Sequence, residues 1–489
     1  MKPRRRLTPA PAQPVAQPAV PALPVYTRTG AAAWSPVLAD PAEVATSAFP
    51  SAALGFYIFL LSSLAHEFLT SYAGIQLPIV AGCFAILVLI YFVAGRPGRF
   101  FATPFAIPWI ALMVWWVIAG FLGHYPRRSL DYLWPFALRI HTLPIVFAGI
   151  IQNFRGLCRA LFGAGFGLML LLVWCIKFGT MSDDRFIIPN TELGNANDLA
   201  LRLLMYGSLF LIFFGTGKFR RVLGILTIPV LMYYVLRTGS RANLITMAIC
   251  MAVAIYLMPP KRKILAIFLA VAVPLVAFPF VPAETQHRLF SFFGVASYDV
   301  DTQHDLRLEQ NAVDSTNARL ELQKRAIQLT LEHPVFGVGP LNFEDAVEDM
   351  VRAKEQKKSG WQVSHNTYLQ VSSEAGIPGL LFYASCVGLC LVLNYRNYRR
   401  STGTHALVSF SLLLASVTYA VGVLFCSIAY DYALALLVGL TAADYLILRP
   451  RNLMPNIPAV LTTPARPGAG AVKPAPAAAV SSRGSLHAS

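Results

Sequence analysis

The chain has 489 residues, of which 56% are hydrophobic and 13% are charged, and its formal net charge is +16. This apolar composition excludes a soluble single-domain protein. Because the basic residues form short clusters between apolar runs instead of one basic face, they indicate a membrane topology and not nucleic-acid binding. The seven cysteines lie in or beside apolar runs, which indicates neither a disulfide framework nor a zinc site.

The first 50 residues are rich in proline and alanine. A basic cluster opens them, but no apolar segment follows it closely, so residues 1–50 predict a disordered tail and not a signal peptide. Residues 451–489 have a similar composition and predict a second disordered tail.

Apolar runs of roughly 17 to 22 residues fill most of the chain between the tails, at the length that a bilayer requires. They predict an all-α polytopic membrane protein of about twelve transmembrane helices, nine over residues 51–281 and three over residues 376–450. The predicted helices start near residues 53, 75, 104, 134, 157, 199, 222, 241, 264, 376, 404 and 427.

The connections after the even-numbered helices are basic and nearly free of acidic residues, as in residues 96–99, 261–263 and 396–400. Positively charged connections tend to stay in the cytoplasm. We therefore predict that these connections and both tails are cytoplasmic, which agrees with an even number of membrane-spanning helices.

One long polar segment, residues 282–375, lies on the other side of the membrane in this topology. It contains 14 of the chain's 24 acidic residues and predicts a helical extracytoplasmic domain. Residues 314–316 (Asp-Ser-Thr) provide helix N-caps. The apolar residues Leu320, Ile327 and Leu331 then predict an amphipathic helix that ends before the next proline.

Seven arginines on the predicted outer side run against the positive-inside pattern. An arginine at the bilayer edge is costly unless it is paired, so these residues are functional candidates. Acidic residues are few nearby, so an anionic ligand such as a lipid diphosphate would balance them. Internal polar pairs are the alternative for Arg139 with His141 and for Arg202 with Asp198. The seven are Arg127, Arg128, Arg139, Arg185, Arg202, Arg237 and Arg241.

The most specific motif lies where the polar segment returns to the membrane. Residues 365–369 (His-Asn-Thr-Tyr-Leu) are followed by residues 374–379 (Glu-Ala-Gly-Ile-Pro-Gly), and a turn-rich stretch, residues 334–343, precedes them. Residues 238–241 (Thr-Gly-Ser-Arg) and 194–198 (Gly-Asn-Ala-Asn-Asp) stand before two earlier predicted helices. In this order the set resembles the O-antigen ligase and O-antigen polymerase superfamily, and the resemblance covers roughly residues 50 to 450.

The resemblance implies a glycosyltransferase of the bacterial inner membrane that works at the periplasmic face. Such an enzyme takes a glycan from undecaprenyl diphosphate and joins it to an acceptor hydroxyl, a lipid A-core sugar or a growing glycan, without a metal or another cofactor. The family's loop histidine matches His365, its loop arginine Arg319 and its helix-edge arginine Arg241. Arg185 matches less well, because the residues around that arginine vary. Ala196 replaces the commoner proline of the Gly-Asn motif.

The residue types suit this chemistry by themselves. Arginines that bind the leaving diphosphate more tightly in the transition state than in the ground state would supply most of the rate enhancement. Histidine has an unperturbed pKa near working pH, so His365 is our candidate general base and Glu374 a candidate for orienting it. Alternatively, His365 makes a structural hydrogen bond and Glu374 complements a helix dipole. Alternatively, the side chain of Arg241 extends to the lipid headgroups. Arg237 either binds the same anion as Arg241 or only flanks the helix.

Other functions stay open at this point. A polymerase of O-antigen or exopolysaccharide repeats would share the whole active site and differ in the acceptor. A protein O-oligosaccharyltransferase would use a serine or threonine of an exported protein. A transporter is the alternative from another class, although the chain has no inverted repeat that would favour it. Residues 299–301 (Asp-Val-Asp) have the form of a metal-dependent glycosyltransferase motif, but such a motif arises easily by chance in an acidic loop.

Overall fold

Helices make up nearly all of the described chain, which comprises residues 48–182, 185–283, 285–286, 303–355 and 363–449 of a computed structural model. The two predicted tails lie outside the described residues, except that the first helix begins at Ala48. The Asp-Val-Asp motif at residues 299–301 also lies outside them.

Ten helices and one hairpin lie before residue 303 within the described ranges. Their bounds are α1 (Ala48–Ser63), α2 (Ala65–Ala73), α3 (Ile79–Ala94), α4 (Ala106–Leu122), α5 (Pro126–Ile150), α6 (Phe154–Phe178), the antiparallel strands β1 (Thr180–Ser182) and β2 (Arg185–Ile187), α7 (Ala196–Leu209), α8 (Lys218–Arg237), α9 (Arg241–Leu257) and α10 (Pro260–Ala277). The remaining described helices are α11 (Gln303–Glu332), α12 (Phe343–Glu355), α13 (Thr367–Arg400), α14 (Gly403–Gly422) and α15 (Tyr432–Leu448).

The apolar helices agree with the predicted membrane architecture. Among the described residues, six helices are long and apolar enough to cross a membrane, namely α6, α7 with the 3-10 turn that extends it to Gly215, α8, Lys263–Phe280 of α10 and its final turn, α13 and α14. The pair α1 and α2 is bent by 52°, and α3, α4, the second half of α5, α9 and α15 are shorter apolar helices. The all-α polytopic fold is therefore confirmed, whereas the number of membrane crossings stays a prediction.

Small residues let α1 and α6 pack closely. A Cβ atom added to Gly163 would lie 2.0 Å from the carbonyl oxygen of Gly55, and one added to Gly167 would lie 1.8 Å from the Ser62 hydroxyl. Helices inside a membrane gain little from the hydrophobic effect between them, so close backbone contact of this kind supplies much of their association.

A buried polar group ties α13, α14 and α15 together far from the start of α13. The Asp444 carboxylate is fully buried and accepts hydrogen bonds from the Asn397 amide at 2.9 Å and the Ser409 hydroxyl at 2.8 Å. His405 lies 2.8 Å from its other oxygen. Because both oxygens of this carboxylate have hydrogen-bond partners, these residues form a satisfied buried polar network with a structural role.

Helices α11 and α12 cover the bundle at the end where α13 begins, which we call the capped end. Their apolar faces form one cluster with the intervening loop, and Leu322, Ala326 and Leu329 of α11 are its buried residues from that helix. The hydroxyl of Tyr125, before α5, donates to Asp349 of α12. The capped end therefore packs on α5 as well as on α13.

The predicted amphipathic helix exists, but its predicted start was wrong. Helix α11 begins at Gln303 and not near residue 314, because the helix-forming residues before Asp314 extend it. Leu320, Ile327 and Leu331 lie on its exposed face, at 51%, 48% and 72% exposure. The helix ends at Glu332, as the proline at position 334 predicted.

Helix α13 begins at Thr367, nearer to the histidine motif than the predicted start at residue 376. The observed and predicted starts differ because Gly376, with a φ of 68°, interrupts the helix. Helical segments lie on both sides of this residue. The sequence pattern identified the second, apolar half, because only that half reads as a lipid-facing run. The polar first half of α13 packs against α11 and the loop that follows it.

Candidate functional site

Four helix starts meet at the capped end, those of α7, α9, α13 and α15. The start of α9 is bonded to the start of α7, and the start of α13 is bonded to the connection before α15, where the Thr367 hydroxyl donates to the Cys426 carbonyl oxygen at 2.7 Å. Each helix start presents the positive end of a dipole, and in each the cap side chain accepts a hydrogen bond from one of the first N–H groups. Their convergence favours the binding of negative charge at this end of the bundle.

A hydrogen-bonded lattice joins β2, α7 and α9. The Arg185 guanidinium donates to the Asn197 side-chain oxygen at 2.6 Å, and the Ser240 hydroxyl donates to the same oxygen at 2.7 Å. The Asn243 amide donates to the Asn197 carbonyl oxygen at 2.9 Å. Asn197, Ser240 and Asn243 are all buried. The lattice therefore fixes Arg185 and the first turn of α9, where Arg241 lies.

His365 precedes α13 in a strained backbone conformation. Its φ is 53°, in the left-handed region that a residue with a side chain occupies at a cost of about 1–2 kcal/mol. The next residue, Asn366, caps α13 by accepting hydrogen bonds from Tyr368 and Leu369 at 3.0 and 3.2 Å. The half-buried imidazole makes no hydrogen bond within the described part of the chain. Strain of this kind persists where the surroundings impose it, which is common at functional sites.

Arg319 of α11 and Arg185 of β2 bring positive charge to His365. Burial and the charges of these two guanidinium groups lower the pKa of His365 to about 4. Burial also lowers the pKa of Arg319, whose electrostatic partners are Cys426 and Asp198. The structure thus brings together the predicted residues His365, Arg319 and Arg185, although they are far apart in the sequence.

Arg241 and Arg237 lie on either side of the turn between α8 and α9. Both are half-buried. The guanidinium group of Arg237 lies over the rings of Phe186 and Tyr233, 4.8 and 5.7 Å from their centroids. Arg241 is the first residue of α9 and follows Ser240 of the lattice. Both arginines are therefore neighbours of Arg185 through β2 and the lattice.

Arg202 is part of a second cluster, which Asp198 links electrostatically to Arg185. Its guanidinium group contacts the Glu192 carboxylate at 2.7 Å and the Asp431 carboxylate at the start of α15. Glu192 in turn donates its backbone N–H to Glu67 at 3.0 Å. The predicted ion pair of Arg202 with Asp198 is replaced by these contacts, because Asp431 and Glu192 approach from other elements. Asp198 instead accepts a hydrogen bond from the Cys426 thiol.

Glu374 is enclosed by the loop between α11 and α12. It is 2% exposed, and its carboxylate accepts the N–H groups of Leu341 at 3.1 Å and Phe343 at 3.2 Å, together with the Tyr430 hydroxyl. Within the described residues it makes no hydrogen bond to His365. The suggestion that Glu374 orients His365 stays a prediction without a contact that supports it.

The remaining arginines of the predicted outer side are Arg127, Arg128 and Arg139. Arg128 forms an ion pair with Asp345 of α12. The predicted pair of Arg139 with His141 is replaced by aromatic packing, because two residues of a helix separated by one position point in different directions. The ring of His141 is buried beside Trp109 and Trp116. The side chain of Arg127 lies outside the described residues.

Several residues of the site escaped the sequence analysis. Cys426 and Tyr430 lie in an apolar stretch before α15 that carries no motif, and only the fold brings them to α13. Asn197 lies inside the Gly-Asn-Ala-Asn-Asp motif at residues 194–198, in which no individual role was predicted for it, and Asn243 lies in the first turn of α9 after the cap residue Ser240. Among the described residues, no group of three or more histidine, cysteine, aspartate and glutamate side chains is arranged to hold a metal ion.

Comparison with known proteins bears on the same region. Residues 225–384 match the family model described as O-antigen ligase. This segment runs from α8 to the first half of α13 and contains Arg241, Arg319 and His365, whereas Arg185 precedes it. The predicted resemblance is confirmed, and the match supports a membrane glycosyltransferase of the ligase or polymerase type that acts on lipid-linked glycans. No curated protein matches the chain.

Proposed function

We propose that the protein transfers a glycan from undecaprenyl diphosphate to an acceptor hydroxyl, with the lipid A-core as the acceptor, at the capped end of the bundle and on the periplasmic side of the inner membrane. The observation that carries the proposal is the gathering of Arg319 and Arg185 around His365. Cationic groups that close on a neutral imidazole suit a reaction in which an anion leaves and a proton is accepted.

The arginines would bind the diphosphate. A diphosphate carries several acceptor oxygens, and guanidinium groups bind such oxygens in a fixed fork with charge-assisted hydrogen bonds. Arg185 is held by Asn197, and Arg241 begins α9, so both present their groups beside helix starts that also favour anions. Arg319 approaches from α11 on the other side. The diphosphate would therefore lie between the bundle and α11.

The polyprenyl chain would lie along α8. Leu226 and Val230 of that helix are exposed at 63% and 37%, and Tyr233 and Arg237 continue the same face toward the capped end. Residues at this spacing form one stripe along a helix. An apolar stripe that ends at an arginine matches a lipid tail that ends at a phosphate.

The chemistry would be a direct displacement at the anomeric carbon. The acceptor oxygen forms a bond to that carbon, and the bond from the carbon to the diphosphate oxygen breaks with its electron pair on the leaving group. The hydroxyl proton passes to His365. The arginines stabilise the negative charge that grows on the diphosphate, and the configuration at the carbon is inverted.

Donor binding would also strengthen the base. With the site empty, the pKa of His365 is about 4, so its imidazole is neutral at pH 7 but weakly basic. A bound diphosphate offsets the positive charges of Arg319 and Arg185, which raises the pKa of His365 toward its ordinary value. His365 would then accept a proton readily only when the donor is in place.

Replacement of His365 by alanine tests the proposal. The donor is the lipid-linked glycan that accumulates in a strain lacking this protein, and the acceptor is lipopolysaccharide core from the same strain. We expect the variant to bind the donor but to transfer glycan on the order of 100- to 10,000-fold more slowly. Transfer at the unchanged rate would remove His365 from the mechanism.

The glycan phenotype of the deletion strain separates the ligase from the nearest alternative. A ligase leaves unmodified lipid A-core and long lipid-linked polymer. Loss of an O-antigen or exopolysaccharide polymerase leaves single repeat units on the core or on the lipid. Transfer to a serine or threonine of an exported protein would identify a protein O-oligosaccharyltransferase instead.

A further inference from the structure

The carboxylate of Glu374 fastens the capped end to α13. It accepts the backbone N–H groups of Leu341 and Phe343 at 3.1 and 3.2 Å, and the hydroxyl of Tyr430. Its own carbonyl oxygen accepts the N–H of Gly339 at 3.0 Å. Glu374 therefore accepts hydrogen bonds from two N–H groups of the loop at residues 333–342 and from the first N–H group of α12.

The loop and the break in α13 interlock without space between them. A Cβ atom at Gly337 would lie 2.3 Å from the carbonyl carbon of Glu374, and one at Gly376 would lie 2.1 Å from the carbonyl oxygen of Val335. Leu341 has a φ of 64°, a conformation that a leucine keeps only where its surroundings impose it. The Glu374 carboxylate holds the N–H of this residue.

The loop is continuous with α11, which carries Arg319. The N–H of Gly337 donates to the His333 carbonyl oxygen at 3.0 Å, and the Thr330 hydroxyl of α11 lies 2.9 Å from the Ser372 hydroxyl of α13. Arg319 lies roughly 20 Å along the helix from its end at Glu332. A tilt of α11 by about 3° at the loop would therefore move Arg319 by roughly 1 Å.

We infer that Glu374 is a positioning residue, which holds Arg319 of α11 against the His365 end of α13 through the loop and does not act on His365 itself. The inference rests on the proposed roles of Arg319 and His365. Glu374 lies roughly 10 Å along α13 from the start of that helix, too far for a direct hydrogen bond to a residue that precedes it.

The experiment measures kcat and KM for the lipid-linked donor in Glu374→Gln, Arg319→Gln and the double variant. Glutamine keeps the shape of the side chain but presents an NH2 group to N–H and O–H donors. We expect Glu374→Gln to lower kcat on the order of 100-fold, with a smaller change in KM, because a misplacement of about 1 Å has an effect of that size. In the Arg319→Gln background the same change should lower kcat by less than about 3-fold, because Arg319 is already gone.

Two further variants keep the test decisive. Tyr430→Phe removes one hydrogen bond to Glu374 and should lower kcat in the same direction by a smaller factor, even where Glu374→Gln does not fold. Glu332→Gln changes an exposed carboxylate at the end of α11, which is bonded to Gln328, and should leave kcat unchanged.

Other results would overturn the inference. Equal losses from Glu374→Gln in the presence and absence of Arg319 would mean that Glu374 acts independently of that residue. A shift of the acidic limb of the pH profile when Glu374→Gln is added to Arg319→Gln would mean a direct contact with the base, because Arg319 is then absent and cannot transmit the change. Unchanged transfer in Arg319→Gln alone would instead remove the proposed role of Arg319, which separates the two failures.

Discussion

Two clusters of buried charge lie side by side at the capped end, and they are built differently. In the first, Arg202 contacts the carboxylates of Glu192 and Asp431. In the second, Arg319 and Arg185 raise the positive charge around His365, and Asp198 is the nearby carboxylate of Arg319. Among the described residues, the Arg202 guanidinium group contacts two carboxylates, whereas Arg319 and Arg185 interact electrostatically with one, that of Asp198. Under the proposed function, Arg202 supports the fold, whereas Arg319 and Arg185 bind the diphosphate of the donor.

The largest effect is expected in the first cluster. Arg202→Gln leaves the largely buried Asp431 carboxylate without its cation, which should destabilise the protein by about 3–5 kcal/mol. Thermal unfolding of the purified protein in detergent measures this loss. In an Asp431→Asn background the same change should cost much less, because the uncompensated charge is gone. Equal losses in both backgrounds would mean that the ion pair contributes nothing specific.

Arg319→Gln, in the second cluster, should lower activity without lowering stability. We expect glycan transfer to fall on the order of 100- to 1,000-fold, because a group that stabilises the leaving diphosphate is lost. The free energy of unfolding should change by less than about 0.5 kcal/mol. Lys324→Gln, an exposed change on the same helix, is the matched control for both measurements. Destabilisation without loss of transfer would reverse the assignment of the two clusters.

The break in α13 offers a pair of glycine variants. Gly376→Ala places a side chain on a residue with a φ of 68°, close to the Val335 carbonyl oxygen, and should cost about 1–3 kcal/mol of stability and much of the transfer activity. Gly388→Ala, in the same helix, meets no atom within 4 Å and should be neutral or stabilising by up to about 1 kcal/mol. Equal effects at both positions would contradict the proposed junction.

The smallest effect is a shift in pH dependence. Below its pKa the imidazole of His365 is protonated and cannot accept a proton, so kcat/KM should fall as the pH drops through about 4 in the free enzyme. Arg319→Gln removes a positive neighbour and raises that pKa, which moves the acidic limb to higher pH. Lys324→Gln should leave the limb in place. A limb that stays fixed in Arg319→Gln would show that the two residues do not interact.

The sequence predicted the fold class because lipid imposes one rule on every segment that crosses it. Long apolar runs such as α6 and α14 must bond their backbone internally, so their helical structure follows from composition. The start of α13 did not follow, since its polar first half is stabilised by the loop between α11 and α12 and by Asn366. Helix α11 carries two apolar faces, and only packing decides which of them is buried against the rest of the protein.

The candidate site was predicted in part, for a related reason. His365, Arg319 and Arg241 carry motifs, and an arginine on the outer side is conspicuous in a sequence that follows the positive-inside rule. The partners of Glu374 could not be predicted, and Asp431 was expected only as one of the few acidic residues near the outer arginines, without an assignment to Arg202. Asp431 and Tyr430 come from a connection that no pattern distinguishes, and the tertiary fold alone brings them to α7 and α13.

The most direct test of the account is the affinity of the purified protein for undecaprenyl diphosphate without a glycan, measured by equilibrium binding in detergent. We predict that Arg319→Gln and Arg241→Gln each weaken binding by at least about 10-fold, whereas Lys324→Gln binds as the wild type does. Undecaprenyl monophosphate should bind more weakly than the diphosphate. Equal affinity of all three variants and the wild type would contradict the proposal that Arg319 and Arg241 bind the diphosphate.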